Sequence, residues 1–175
     1  MSKAMEVVGL TPERLETVLS TFPDEADRVT ARRLVGLFTA AGLPVKLKLY
    51  HQACMAGTYR ILCFIRKSAE SVIINNRGMG RDGVSFQVRI DNRSTLERLE
   101  TFCEWTREQL RSAADCGGCS TKCEGKKYTF VYQGTAYTKC RFLCNNFTFA
   151  NLTPDGRKDL LTIVAAELGG KPPRA

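Results

Sequence analysis

Histidine and tryptophan are nearly missing from this 175-residue chain, with one of each present. The lone His51 falls near the end of a predicted strand, where a polar surface residue is the expected role. No serine stands in a nucleophile-elbow context, and no carboxylate pair has a spacing useful for acid–base work. No apolar run approaches the roughly 18 residues of a membrane span. The opening MSKAMEVVGLTPERL lacks the apolar core of a secretory leader, so a cytoplasmic chain with no membrane partner is expected. Internal repeats and low-complexity tracts are also missing.

What is present is an ordinary globular composition, 43% hydrophobic and 25% charged, with a net charge of +8 spread along the chain. Thr11-Pro12 reads as an N-cap with proline at the first helical position. Leu15, Val18, Leu19 and Phe22 line that helix, and Val29, Leu34, Val35 and Phe38 line a second, ending before Gly42 and Pro44. The period then changes to two: Val45, Leu47 and Leu49 alternate with Lys46, Lys48 and Tyr50. TYRILCFI, SVIINN and VSFQVRI are three further strands. Ser94 and Glu97 form a capping box for one long helix with Leu96, Leu99, Cys103, Thr106 and Leu110 inside. Thr153-Pro154 opens a last helix, with Leu160, Leu161, Val164 and Leu168 inside, stopped by Gly169-Gly170.

The expected class is α+β: an antiparallel sheet of about four strands, helices packed mainly on one face, and a cysteine-rich β-hairpin before the C-terminal helix. The predicted organisation is a core domain over 1–115, a cysteine module over 116–150, a packed helix over 151–169 and a disordered tail over 170–175.

Eight cysteines in such a chain point to metal or redox use before a disulfide framework. Five cluster in CGGCSTKC and CRFLC: Cys116, Cys119, Cys123, Cys140 and Cys144. Between them, KKYTFVYQGTAYTK alternates aromatics on either side of Gln133-Gly134. A two-residue turn there pairs Phe130 with Tyr137 and Lys127 with Cys140, and draws Cys123 toward Cys144. The hairpin thus returns the second cysteine group to the first. Zinc held by four thiolates is the expected occupant, from Cys116, Cys119, Cys140 and one of Cys123 or Cys144. An iron–sulfur cluster fits the spacing less well. A redox pair in CGGC would follow a helix instead of opening one, and so would lack the N-terminal field that activates a thiol.

Gly78-Met79-Gly80-Arg81-Asp82-Gly83 satisfies the dinucleotide-binding fingerprint, but a strand follows where a helix is required, so a hairpin loop is expected. Cys63 reads as core, and Cys54 lacks a partner at useful spacing. Trp105 and Tyr59 suit either a pocket wall or simple packing. Lys122, Lys126, Lys127, Lys139 and Arg141, against Glu124, form the one local basic concentration, a rim suited to solvent or, through Lys126, Lys127, Lys139 and Arg141, to weak nucleic-acid contact.

The stretch NRSTLERLETF…CGGCSTKCEGKKYTFVYQGTAYTKCRFLCNNFTFANLTPDG resembles the C-terminal half of uncharacterised proteins from clostridial bacteria, over about residues 60–168. The resemblance implies a cytoplasmic bacterial protein whose five thiols act as one unit, and it supplies no catalytic residue. A binding or regulatory module with a structural zinc site, holding a small ligand or a protein, is the leading expectation. A metal- or thiol-dependent enzyme and a zinc-ribbon-like nucleic-acid binder are the alternatives.

Overall fold

A computed structural model describes residues 5–51, 55, 57–66, 69–77, 83–90, 93–113, 127–140 and 147–169. The elements in order are β1 (Met5–Gly9), α1 (Pro12–Leu19), α2 (Glu25–Ala40), β2 (Val45–Tyr50), β3 (Tyr59–Arg66), β4 (Ala69–Asn75), β5 (Ser85–Val88) and α3 (Arg93–Glu97). A 3-10 turn (Leu99–Thr101), α4 (Glu104–Ser112), β6 (Lys127–Tyr132), β7 (Thr135–Cys140), β8 (Phe147–Ala150) and α5 (Pro154–Glu167) complete them.

Six strands form one sheet in the order β1-β2-β3-β4-β5-β8, with every neighbouring pair antiparallel. Register carries one apolar row across the whole sheet: Val8, Leu47, Ile61, Ile74, Phe86 and Phe149. A second row runs Val45, Cys63, Val72, Val88 and Phe147. Both rows lie on one face, because residues two apart on a strand point the same way. They join the apolar sides of the helices in a single core with Leu34, Phe38, Leu110, Leu160 and Val164. Helix α2 lies against β2 and β3, α4 against β8, and α5 against α2, α3 and α4.

The helix ends follow local chemistry. Thr11, Asp24 and Thr153 each accept a hydrogen bond from a first-turn backbone N–H of their helix. Gly42, at φ 69°, ends α2, and Leu43 N–H reaches back to Phe38 O at 2.9 Å. The buried side chain of Asn76 ties three segments together. Its Oδ1 accepts from Tyr59 N, and its Nδ2 donates to Thr21 Oγ1 and Gly57 O.

Several expectations are corrected. The sheet has six strands instead of about four. Strand β1 was hidden because MEVVG is almost wholly exposed, with no buried alternation to betray it. FTFA alternates as a strand should, yet it pairs with β5 in the main sheet. The long helix is broken: Phe102 and Cys103 are extended, at ψ 155° and 158°, between the 3-10 turn and α4. Leu99, Phe102 and Thr106 stay buried on both sides of the break. Val29 is 41% exposed, because the buried stripe of α2 runs through Asp27, Thr30, Ala31, Leu34, Val35 and Phe38.

Candidate metal centre

Helix α4 aims the chain at the cysteines. Cys103 caps it, and its backbone N–H donates to Asp159 Oδ2 of α5 at 2.8 Å. Trp105 packs against Phe149, with ring centroids 6.2 Å apart. It also lies so close to Gly156 that a Cβ there would stand 2.6 Å from the indole. Trp105 is therefore a packing residue that pins α4 to β8 and α5. With Leu110 fully buried as well, the end of α4 is held in place, four residues before Cys116.

The second element is the β6–β7 hairpin. Gln133 and Gly134 have φ of 50° and 76°, the two positive values that a type I′ turn requires. The ladder pairs Lys127 with Cys140 and Phe130 with Tyr137, as the alternating pattern predicts. Phe130 and Tyr137 stack at 5.3 Å with planes 15° apart. Phe130 and Tyr132 are buried in the main core, while Val131, on the other side of the strand, is exposed.

Lys139 joins the two elements. Its Nζ donates to Arg111 O at 2.6 Å and to Ala113 O at 2.5 Å. These carbonyls end α4, where the helix lacks donors and its dipole favours a cation. Lys139 is only 3% exposed, so it does not belong to a solvated basic rim. Register explains this: Lys139 faces Tyr128 and shares the covered side of the hairpin with Phe130 and Tyr137. The hairpin aromatics are likewise taken up by the core and by Arg111, whose guanidinium sits 5.4 Å over Tyr132.

One hydrogen bond thus spans from Ala113, three residues before Cys116, to Lys139, the neighbour of Cys140. Three extended residues reach at most about 11 Å. On the opposite strand, Lys127 faces Cys140 and stands four residues after Cys123. The described structure brings together the flanks of both cysteine groups. Cys116, Cys119, Cys123 and Cys144 lie outside the described residues, as do Lys126 and Arg141, while Cys140 ends β7.

The other candidates resolve more simply. Cys63 is buried, and burial pushes its thiol well above the ordinary range, which suits an inert core residue. Cys103 is half-buried, its Sγ 3.3 Å from Thr106 Oγ1. Cys54 lies outside the described residues. His51 Nε2 stands 3.7 Å from Glu6 Oε2 in a surface pair. The strands flanking GMGRDG are antiparallel neighbours, which rules out the parallel unit that a dinucleotide site needs. Residues 78–82 of that loop lie outside the described residues. Among the described residues no group of three or more His, Cys, Asp or Glu side chains could hold a metal ion. No helix among them is long and apolar enough to cross a membrane.

Comparison with protein-family models, with curated proteins and with solved structures finds no match for this chain.

Proposed function

We propose that the chain is a zinc-binding protein in which thiolates cross-link the end of α4 to the β6–β7 hairpin, making a binding or regulatory module. The observation that carries this reading is the link from Lys139 to the α4 carbonyls, taken with the Lys127–Cys140 register. They support it because Ala113, three residues before Cys116, and Lys127, four after Cys123, are both tied to the Lys139-Cys140 end of β7. Five thiols supply more than the four ligands that a closed zinc site takes. A closed thiolate shell leaves no open position for water, so the metal's role is to hold the hairpin and not to perform chemistry.

Elemental analysis of purified protein tests this, together with its visible spectrum and thiol labelling. One equivalent of zinc, no colour, and four or five thiols released by a chelator are expected. The released thiols should map to Cys116, Cys119, Cys123, Cys140 and Cys144, and protease sensitivity should rise in 116–150 while the six-stranded sheet persists. Brown protein with iron would reassign the metal. Rapid labelling of one CGGC cysteine with metal still bound would favour a thiol-dependent enzyme.

A further inference from the structure

The face of the sheet away from the apolar rows carries a pattern of its own. Lys46, Lys48 and Tyr50 alternate along β2 and point to that face, Arg60 of β3 pairs with Lys48, and Phe64 stands beside the start of β2. Lys46 is exposed, and Lys48, Tyr50, Arg60 and Phe64 are half-buried. Cations and rings are already in contact: Lys46 Nζ lies 5.5 Å over Phe64, Lys48 Nζ 5.2 Å over Tyr50, and the Arg60 guanidinium 5.1 Å over Tyr50. Glu70, facing Phe64, is the carboxylate of this patch.

We infer that this face of β2 and β3 binds single-stranded nucleic acid. Its two rings lie near opposite ends of β2, about 20 Å apart at about 3.3 Å per residue, with three cations between them. Charge complementarity selects a polyanion, and the interleaved rings select one that carries flat groups at intervals. A phosphate drawing an ammonium off its ring leaves that ring face free for a base, so the present cation–π contacts are exchanged in binding and not wasted. An anionic membrane fits less well. Tyr50 and Phe64 are half-buried and already held against Lys46, Lys48 and Arg60, whereas interfacial anchoring needs an apolar face that enters the headgroups. Phe130 and Tyr132 of the hairpin cannot serve instead, since both are buried. The inference uses none of the five clustered thiols and stands whether or not zinc is bound.

The test is fluorescence anisotropy of the full chain with labelled oligouridine and oligothymidine of about ten nucleotides, at about 50 mM salt and upward. Binding that weakens steeply with salt is expected. Lys46→Gln with Lys48→Gln should cost about tenfold in affinity and flatten the salt slope by about 0.7 per lysine removed. Tyr50→Leu should cost about fivefold or more with the salt slope unchanged. Thermal unfolding of each variant checks that the fold persists, and the wild-type salt slope is read without any variant. Preference for either oligonucleotide supports the inference and says which nucleic acid is the natural one. Absence of binding to both at low salt overturns it, as does affinity unchanged by the lysine pair. Binding only to vesicles rich in anionic lipid overturns it in favour of a membrane surface.

Discussion

In the six-stranded sheet, Phe86, Phe147 and Phe149 have strand neighbours along the sheet and helices across the core. In the hairpin, Phe130 and Tyr132 are buried on one side, while Val131 on the other is 66% exposed. The two regions use the same alternation, yet their supports differ. Sheet strands are held by ladders and by a core closed with α2, α4 and α5. The hairpin has one ladder, its contact with α3, the bonds from Lys139 to α4, and Phe130 and Tyr132 set into the core from one side. An isolated two-stranded hairpin is marginal in water. A small element can therefore repeat the rules of a large one and still need an anchor, which explains why a cluster of thiols would be placed at its open end.

The largest expected effect breaks the comparison from the side of the sheet. Phe149→Ala removes a fully buried ring that touches Trp105, and should cost about 3–5 kcal/mol. The loss should appear as a lower denaturant midpoint for the whole chain, because the core is shared. Unfolding confined to β8 would show that the sheet is less unified than its rows imply.

Lys139→Ala works from the side of the hairpin. It withdraws a charged donor from two α4 carbonyls and should cost about 1–3 kcal/mol. Hydrogen exchange should quicken in 127–140 and at the end of α4, while β3 and β4 stay protected. Equal loss of protection everywhere would erase the distinction between the regions. Gln133→Asn sharpens it, since asparagine tolerates the positive φ of the first turn position better than glutamine. The hairpin should gain about 0.5 kcal/mol, read as slower exchange in β6 and β7 alone.

The smallest effect concerns the helices over the sheet. Asp27 is buried, and its carboxyl is held above the ordinary range by that burial, even though Arg157 lies 3.0 Å away and pulls the other way. Between the unperturbed value of 3.8 and the raised one, the folded state binds more protons than the unfolded. Stability from this site therefore falls as pH rises through that window. Asp27→Asn should remove that fall, so stability should rise more steeply with pH across the window than in the parent, measured by urea unfolding at a series of pH values. An unchanged profile would show that Arg157 compensates the burial.

Much of this was legible in the residues. The hairpin register followed from aromatic alternation around Gln133-Gly134, a purely local signal that the ladder reproduces pair by pair. The helix starts at Thr11 and Thr153 followed from side-chain caps, which are local as well. Lys139 shows a reading that the same register allowed and charge obscured. Paired opposite Tyr128, it had to share the aromatic face, but a lysine between cysteines looked like solvent rim. For the candidate centre, the sequence placed Cys140 opposite Lys127, and the Lys139 link to α4 is the part that no spacing predicts.

By itself, then, the sequence determined what depends on neighbours along the chain: strand and helix periods, caps and the I′ turn. Tertiary structure alone decided that β1 and β8 complete the sheet, that the helix breaks at Phe102-Cys103, and that lysines and rings interleave on the outer face of β2 and β3. Those features depend on partners far away in sequence. Strand β1 has little burial of its own and exists through its ladder to β2. The helix breaks at Phe102-Cys103, where Cys103 N–H bonds Asp159 of α5 and α4 turns to pack on β8 and α5. The Arg60–Tyr50 contact forms because antiparallel pairing sets β3 beside β2 and turns both side chains to the same face.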